Sequence, residues 1–372
     1  MDQPEPRAAR TLAGARWACG ACGDCCRHFQ LGPVEPEIIA GLAALPLAEA
    51  FPHLDGRPFS RVVEGPAGPA HFLEKINGAC VFLEADNRCG VHRRWGAAAK
   101  PAFCRAFPVH LVEDPRGLAA VARPHCTGLA AGQRAGAPMD EVAAEAVDLP
   151  RALSIPRFAP QAVALMPGLG VDLDGWMRLE DHLIAQLDGP PAPLGAQLAR
   201  LRSAALGAVR RPDPGPDAAR AAAAFGAVLE GERLVLRAAI AAGGAPSAAE
   251  ADFAARLAAD LDRAAARLPA GPPALDAEAM ALCARILQGE LLSKRAHAEG
   301  SLAAGLGRAA HALWVAALAA AGDDGGPVGA DALMATLSPH LRLGDNGQVA
   351  HLLQRARPAL VDLFLSAGAA PW

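Results

Sequence analysis

The sequence predicts a small, irregular α+β domain over residues 1–130, followed by an all-α helical bundle over residues 131–372. Three observations support this division. Eight of the nine cysteines lie before residue 130. Glycine and proline recur there between short apolar runs, which is typical of a loop-rich domain. After residue 130 apolar residues recur with helical spacing in an alanine-rich sequence, and alanine is the best helix former.

The first domain is predicted to contain only short elements. In order, these are a helix over residues 34–42, extended segments over 72–73 and 80–83, and a strand pair over 109–112 and 118–122. Pro36 suits the first turn of the helix. Asn77-Gly78 and Asp86-Asn87-Arg88 are turn signals. The apolar core of this domain is thin, so it needs additional stabilisation.

The second domain is predicted to be a bundle of seven to nine helices. The candidates are Met139–Val147, Leu173–Leu187, Leu194–Val209, Asp217–Ala242, Ala248–Leu268, Ala274–Leu292, Ser301–Ala321, Ala330–Leu337 and Asn346–Leu365. Pro358 should kink or divide the last helix, because proline has no N–H to donate and clashes with the preceding turn. The apolar stretch within Ser301–Ala321 is too short to span a bilayer, so we expect a buried helix and no membrane partner.

The composition and the N-terminal residues limit the classes of protein to which this sequence can belong. The formal net charge of −4, from 35 basic and 39 acidic residues, excludes a strongly basic nucleic-acid-binding protein. Met1–Pro6 is acidic and interrupted by proline, which is unlike a signal peptide, so we expect a cytoplasmic protein. In a reducing cytosol, clustered cysteines more often bind metal than form disulfides.

The central motif is the CxxCxxCC run formed by Cys19, Cys22, Cys25 and Cys26. CxxC spacing brings two thiolates to one metal, and a third cysteine three residues later resembles a ferredoxin-type cluster loop. Neighbouring side chains diverge in a helix or a strand. Cys25 and Cys26 are therefore expected to serve two centres, or one of them is not a ligand.

Four further cysteines complete the candidate ligand set, namely Cys80, Cys89, Cys104 and Cys126. None belongs to a second CxxC pair, so a zinc ribbon is a poor template. Zinc with mixed ligands stays open because four histidines lie close by in sequence, His28, His92, His110 and His125. We favour a [4Fe–4S] cluster over zinc, and predict that the first domain is metal-stapled.

Basic residues near the cysteines are expected to offset the charge of about −2 that four thiolates leave on either centre. They are Arg27, Arg88, Arg93, Arg94, Arg105 and Arg123. Two other features are assigned no chemistry. Gly168-Leu169-Gly170 lacks the third glycine of a dinucleotide-binding loop. Cys283 is expected to be a buried helical residue.

The ordered motifs resemble the YkgJ-type cysteine-cluster family, which is described as zinc- or iron-chelating. After CxxCxxCC come Asn77–Leu83, which contains a GxCxFL box, then Arg88–His92, and then Pro101–Pro108, which contains a CRxFP box. Val91-His92 stands where the family has Ile-Tyr, and Lys100-Pro101 where it has Arg-Pro. The resemblance covers residues 17–130 and implies a metal-binding domain.

The long segment between Cys89 and Cys104 is similar to the flagellin lysine-N-methylase branch of that superfamily, as is Cys126 some twenty residues later. This branch implies S-adenosylmethionine as a cofactor and a protein substrate such as flagellin. Its first cysteines are more widely spaced than CxxCxxCC. Three hypotheses follow: a metal-binding cysteine-cluster protein, a protein-lysine methyltransferase, or a non-catalytic thiol redox sensor or metal chaperone.

Overall fold

A computed structural model describes residues 8–65, 68–147, 149, 155–242, 248–344 and 347–368. Met1–Pro6, used above to predict the compartment, and Asn346, the predicted start of the last helix, lie outside these residues.

Ten short strands form five separate antiparallel hairpins or pairs within the described residues. The strands are β1 (Arg16–Trp17), β2 (Ser60–Gly65), β3 (Gly68–Leu73), β4 (Lys75–Ile76), β5 (Ala79–Cys80), β6 (Val109–Asp114), β7 (Gly117–Ala122), β8 (Ala137–Pro138), β9 (Ala162–Met166) and β10 (Leu169–Asp172). The pairs are β1–β8, β2–β3, β4–β5, β6–β7 and β9–β10.

Sixteen α-helices occur in the described part of the chain. They are α1 (Asp24–His28), α2 (Pro36–Ala43), α3 (Leu47–Ala50), α4 (Gly90–Trp95), α5 (Ala102–Ala106), α6 (Leu129–Ala135), α7 (Met139–Val147), α8 (Leu173–Ala185), α9 (Leu194–Ala208), α10 (Ala218–Ala241), α11 (Ala248–Arg267), α12 (Ala277–Leu292), α13 (Leu302–Ala320), α14 (Ala330–Gly344), α15 (Gly347–Arg355) and α16 (Arg357–Ser366).

The cysteine-bearing region has the predicted short elements. Asn77 and Gly78 have φ angles of 52° and 78°, as a two-residue hairpin turn requires, and they join β4 to β5. The β6–β7 pair and helix α2 with Pro36 at its start are confirmed. Only the start of the extended segment over 80–83 is a strand. Val81 and Phe82 are instead buried side chains of the local core.

The helical region is built around α13. Asp217, Asp276 and Ser301 each accept a hydrogen bond from the backbone N–H three residues later. They therefore cap α10, α12 and α13 and fix where these helices begin. Helix α13 is long and apolar enough to cross a membrane, but 94% of its most apolar window is buried inside the protein. The expectation of a buried core helix is confirmed.

Three details of the helical region differ from the prediction. Pro358 divides the last predicted helix into α15 and α16 and lies in the first turn of α16, where its missing N–H has no partner to lose. Helix α14 continues past the predicted end at residue 337 and contains Pro339. Residues 162–172 form the β9–β10 hairpin, so this half is not purely α-helical. Gly168 lies in the hairpin turn, not in a nucleotide-binding loop.

The two regions are joined by shared packing and by buried charges. Helix α7 packs against β6 and β7, and Lys294, just after α12, pairs with Asp114 of β6 at 2.8 Å and with Glu180 of α8. The side chains of Asp114 and Glu180 are fully buried. The domain boundary near residue 130 stays a prediction.

Candidate metal centre

The loop that carries the first cysteines turns into α1 at Gly23. Gly23 has a φ of 72°, a conformation that favours glycine. A Cβ at this position would lie 2.2 Å from Arg27 Nη1. Arg27 donates hydrogen bonds to the carbonyl of Cys22 and to Asn87 Oδ1. The glycine therefore lets one arginine join the CxxCxxCC loop to the predicted 86–88 turn.

Helix α1 holds the adjacent cysteines. The Sγ atoms of Cys25 and Cys26 lie 3.9 Å apart, and both residues line the same cavity. The two thiols therefore do not diverge as expected for neighbouring residues of a helix, and whether both are ligands stays a prediction. A tetrahedral zinc ion with bonds of about 2.3 Å places its sulfurs about 3.8 Å apart. The spacing of this pair is therefore compatible with one shared metal ion.

Five cysteines line one cavity of about 330 Å³. They are Cys25, Cys26, Cys80, Cys89 and Cys104. Much of the remaining lining is apolar, including four phenylalanines, Phe29, Phe82, Phe103 and Phe107. The fold thus brings cysteines that are up to 79 residues apart in sequence to one largely apolar space.

Each sequence motif delivers one of the three later cysteines. Cys80 ends β5, directly after the hairpin turn. Cys89 precedes the first residue of α4, and an isolated bridge joins it to Leu83. Cys104 lies in α5, whose first N–H, that of Ala102, donates to Glu35 Oε1 at 2.8 Å. Short elements, fixed by a turn, a bridge and a longer-range hydrogen bond, therefore direct these thiols into the cavity.

Positive charge also lines the cavity, through Lys100 and Arg123. Arg123 donates a hydrogen bond to His110 Nδ1 at 2.8 Å. Burial and the charge of Arg123 lower the pKa of His110 to about 3, so this imidazole is neutral at physiological pH. Of the four histidines proposed as zinc ligands, His110 is the one that lines the cavity.

The other three candidate cysteines, Cys19, Cys22 and Cys126, do not line this cavity. Cys22 Sγ lies 3.1 Å from Thr127 Oγ1, and Thr127 donates to Asp24 Oδ2 at 2.7 Å. Buried Cys126 precedes Thr127, and the Cys126 charge is coupled to that of Cys22. Cys19 and Cys22 are exposed. The structure therefore places Cys126 near Cys22, outside the lining of the cavity, and the charge of Cys126 is also coupled to that of Cys25. That Cys19, Cys22 and Cys126 are metal ligands stays a prediction.

The pKa values of the thiols depend on their burial and on their neighbours. Burial raises the pKa of Cys80 to about 12 and that of Cys126 to about 11. The hydrogen bond from Cys26 lowers the pKa of Cys25 to about 7, against the effect of burial and with help from Lys100. Thiolates bind metal and thiols do not, so loading this site must release protons.

Two of the arginines expected to offset cluster charge are engaged elsewhere. Arg93 lies 2.7 Å from Glu84, and Arg94 pairs with the same carboxylate. Sequence reasoning missed Lys100 in the cavity wall and Arg342 of α14. The Arg342 guanidinium lies 5.1 Å from the Phe29 ring and donates to the His125 carbonyl. Lys100 could have been identified, because it stands at a motif position of the family that the sequence resembles. Arg342 could not, because no local sequence signal connects residue 342 with this site. Cys283 is fully buried in α12, as expected.

The comparisons with known proteins agree with this geometry. Residues 18–127 match the sequence model of the CxxCxxCC family, described as a "putative zinc- or iron-chelating domain". No curated protein and no solved structure matches the chain. The matched residues include all eight predicted ligands. Residues 18–127 thus carry a domain that matches the CxxCxxCC model, in agreement with the resemblance to YkgJ-type cysteine-cluster proteins.

Proposed function

We propose that this metal-binding protein holds an iron–sulfur cluster in the cavity lined by Cys25, Cys26, Cys80, Cys89 and Cys104. The observation that carries the proposal is the convergence of these five cysteines on one space of about 330 Å³. Thiolates are the ligands that both iron–sulfur clusters and structural zinc prefer, so the donor set fits a metal centre.

The spread of the sulfurs favours a cluster over a single zinc ion. In a four-thiolate zinc site every sulfur lies about 3.8 Å from the others. Among the described residues, no three cysteine sulfurs lie within 4.8 Å of one another. A cluster contains several irons, each with its own thiolate, and so accepts more widely spaced cysteines. Lys100 and Arg123 would reduce the negative charge of the loaded site.

Four of the five cysteines are sufficient for a [4Fe–4S] cluster. We assign Cys80, Cys89 and Cys104 as ligands, together with one of the adjacent pair. Replacing each of Cys25 and Cys26 by serine separately tests this assignment. One variant should lose the cluster and the other should retain it. Equal retention in both would show that neither is a required ligand.

The deciding experiment is elemental analysis of the full-length protein purified without oxygen. Iron and acid-labile sulfide should be present in similar amounts, with a broad absorption near roughly 400 nm from sulfur-to-iron charge transfer. Cys283→Ser should give the same result, because Cys283 is buried in α12 away from the cavity. If the protein is colourless and contains stoichiometric zinc, the site binds zinc and not an iron–sulfur cluster. Absence of iron, zinc and sulfide would overturn metal binding.

The exposure of Cys19 and Cys22 favours a second candidate function, in which the protein exchanges metal or responds to oxidants. Exposed thiols can hand over metal or oxidise, whereas buried thiols react slowly. Mild peroxide should then release metal reversibly from the wild type. Cys19→Ser combined with Cys22→Ser should slow that release without lowering the metal content. A release rate unchanged by the double substitution would reject this role.

Methyl transfer from S-adenosylmethionine to a protein lysine, with flagellin as one substrate, also stays a proposal. A groove of about 560 Å³ lies between the first cysteine loop and helices α11 and α14, lined by Cys22, Asp24 and Arg342 among others. S-adenosylmethionine should raise the melting temperature of the metal-loaded protein if it binds there. Without such a shift, the methyltransferase hypothesis would lose its support.

A further inference from the structure

Three ionisable side chains meet inside the helical region, far in sequence from the eight cysteines predicted as ligands. Glu232 comes from α10, His311 from α13 and His340 from α14. Their relative exposures are only 2%, 1% and 4%. Their possible ligand atoms all lie within 4.8 Å of one another, and this is the one such group of histidine, cysteine or acidic side chains in the described residues.

The two imidazoles converge on one carboxylate oxygen. His311 Nε2 lies 2.9 Å and His340 Nε2 3.6 Å from Glu232 Oε2. Ligands about 2.0–2.2 Å from a metal ion are separated by about 3.0 Å at right angles and by about 3.4 Å at tetrahedral angles. The observed separations of 2.9 and 3.6 Å therefore already match the edges of a coordination sphere, with little movement of the helices.

The carboxylate of Glu232 is almost completely buried. An ionised carboxylate at such a position is costly unless a cation or a close partner compensates its charge. A bound metal ion would supply that compensation.

Both histidines also have an unsatisfied atom. Nδ1 of His311 and Nδ1 of His340 are buried and make no hydrogen bond within the described residues. The surroundings offer packing instead, with the Phe225 ring centroid 4.9 Å from that of His311. The polar groups of the triad are thus directed at one another within an apolar core.

We propose that Glu232, His311 and His340 form a second metal site, separate from the cysteine cavity, for a divalent transition metal such as Zn²⁺ or Fe²⁺. Two imidazoles and one carboxylate from separate helices of a bundle are a ligand set that binds these ions and leaves coordination positions open. A metal ion here would join α10, α13 and α14.

Cobalt substitution of the full-length protein tests the proposal directly. The protein is unfolded with chelator and refolded with Co²⁺, because side chains this deeply buried need the metal to be present during folding. Thiolate ligands give sulfur-to-cobalt charge-transfer bands, whereas histidine and carboxylate ligands give only weak visible bands. The wild type should bind one equivalent of Co²⁺ that gives only the weak visible bands of histidine and carboxylate ligands, in addition to any sulfur-bound metal.

Matched variants show which residues bind this equivalent of Co²⁺. Glu232→Gln and His340→Gln should each lose it and keep the sulfur-bound metal. His297→Gln should keep both, because His297 is a half-buried histidine of the same region outside the triad. Cys104→Ser should lose sulfur-bound cobalt only, which separates this site from the proposed cluster. The proposal is overturned if wild-type cobalt is bound only to sulfur. It is also overturned if folded Glu232→Gln protein, checked by circular dichroism, binds as much metal as wild type.

Discussion

The cysteine-bearing region and the helical region differ in how closely their interiors are packed. In the helical region the backbones are in close contact: a Cβ on Gly305 of α13 would lie 1.8 Å from the carbonyl oxygen of Ala296, and one on Gly307 would lie 1.9 Å from that of Leu360. In the cysteine-bearing region a smaller core around Phe51, Val81 and Phe82 lies beside a cavity lined by thiols.

The difference indicates what each region needs in order to be stable. A close-packed core gains its stability from buried apolar surface and dispersion, with few internal voids. A small domain that encloses a cavity lacks part of that contribution, and a bound metal can supply it. The helical region should therefore tolerate loss of metal from the cysteine site, whereas the cysteine-bearing region should not.

The largest effect is expected from Cys104→Ser. Removing a ligand from the cavity should weaken metal binding more than about 100-fold, since even changes to residues behind the ligands cost about 10–100-fold. The metal content of the purified protein and hydrogen exchange of residues 18–127 measure this. Cys283→Ser is the matched control, as a buried cysteine of the helical core. Equal metal content in both variants would remove the distinction between the two regions.

The next largest effect concerns the charges between the regions. Lys294→Met removes the buried cation that pairs with Asp114 and Glu180. Losing one partner of a buried ion pair costs up to about 3–5 kcal/mol, and Arg116, which also pairs with both carboxylates, should reduce this cost. The free energy of unfolding in urea measures this cost. Arg134→Met, which breaks exposed pairs with Glu278 and Asp331, should change stability little. Similar losses in both variants would mean that Lys294 does not couple the regions.

The helices were largely predictable because their signals are local. Asp217, Asp276 and Ser301 mark helix starts because each accepts a backbone hydrogen bond within the first turn. Pro358 marks the division between α15 and α16 because it has no N–H to donate. The β9–β10 hairpin was missed because its strands are short and Val163 and Leu165 are buried under helices. Their burial depends on tertiary packing, which the local pattern does not contain.

The candidate ligands were predictable as residues, but their grouping was not. Spacing identified the CxxCxxCC run and the three later motifs. It gave no information on which thiols line one cavity, and the assignment of Cys19 and Cys22 as ligands together with Cys25 stays a prediction. The contribution of α14 to the site through Arg342, and the triad formed by Glu232, His311 and His340, each require helices that are distant in sequence to pack together. Single-sequence patterns do not encode such contacts.

A smaller effect tests the close packing of the helical core. Gly305→Ala would drive a methyl group into the backbone of Ala296, and such overpacking costs about 1–3 kcal/mol. Gly289→Ala in α12 is the matched substitution, because nothing lies within 4 Å of its Cβ position. It should stabilise the protein by up to about 1 kcal/mol, since alanine is the better helix former. Thermal unfolding of both variants gives the comparison, and changes of the same sign would contradict it.

The effect that is smallest near neutral pH is a pH dependence that belongs to the helical region. Burial, with the charge of Lys294, lowers the pKa of His297 to about 4, whereas a histidine in an unfolded chain titrates near about 6.5. Between these values the unfolded chain binds a proton that the folded protein does not. Stability from this group is therefore complete above about pH 6.5 and falls as the pH drops towards 4, by at most about 1.4 kcal/mol per pH unit. His297→Phe keeps a ring against Trp176, whose centroid lies 4.3 Å from that of His297, but binds no proton. Urea unfolding across this pH range should give a shallower slope for the variant, and parallel curves would show that His297 does not set the acid sensitivity of this region.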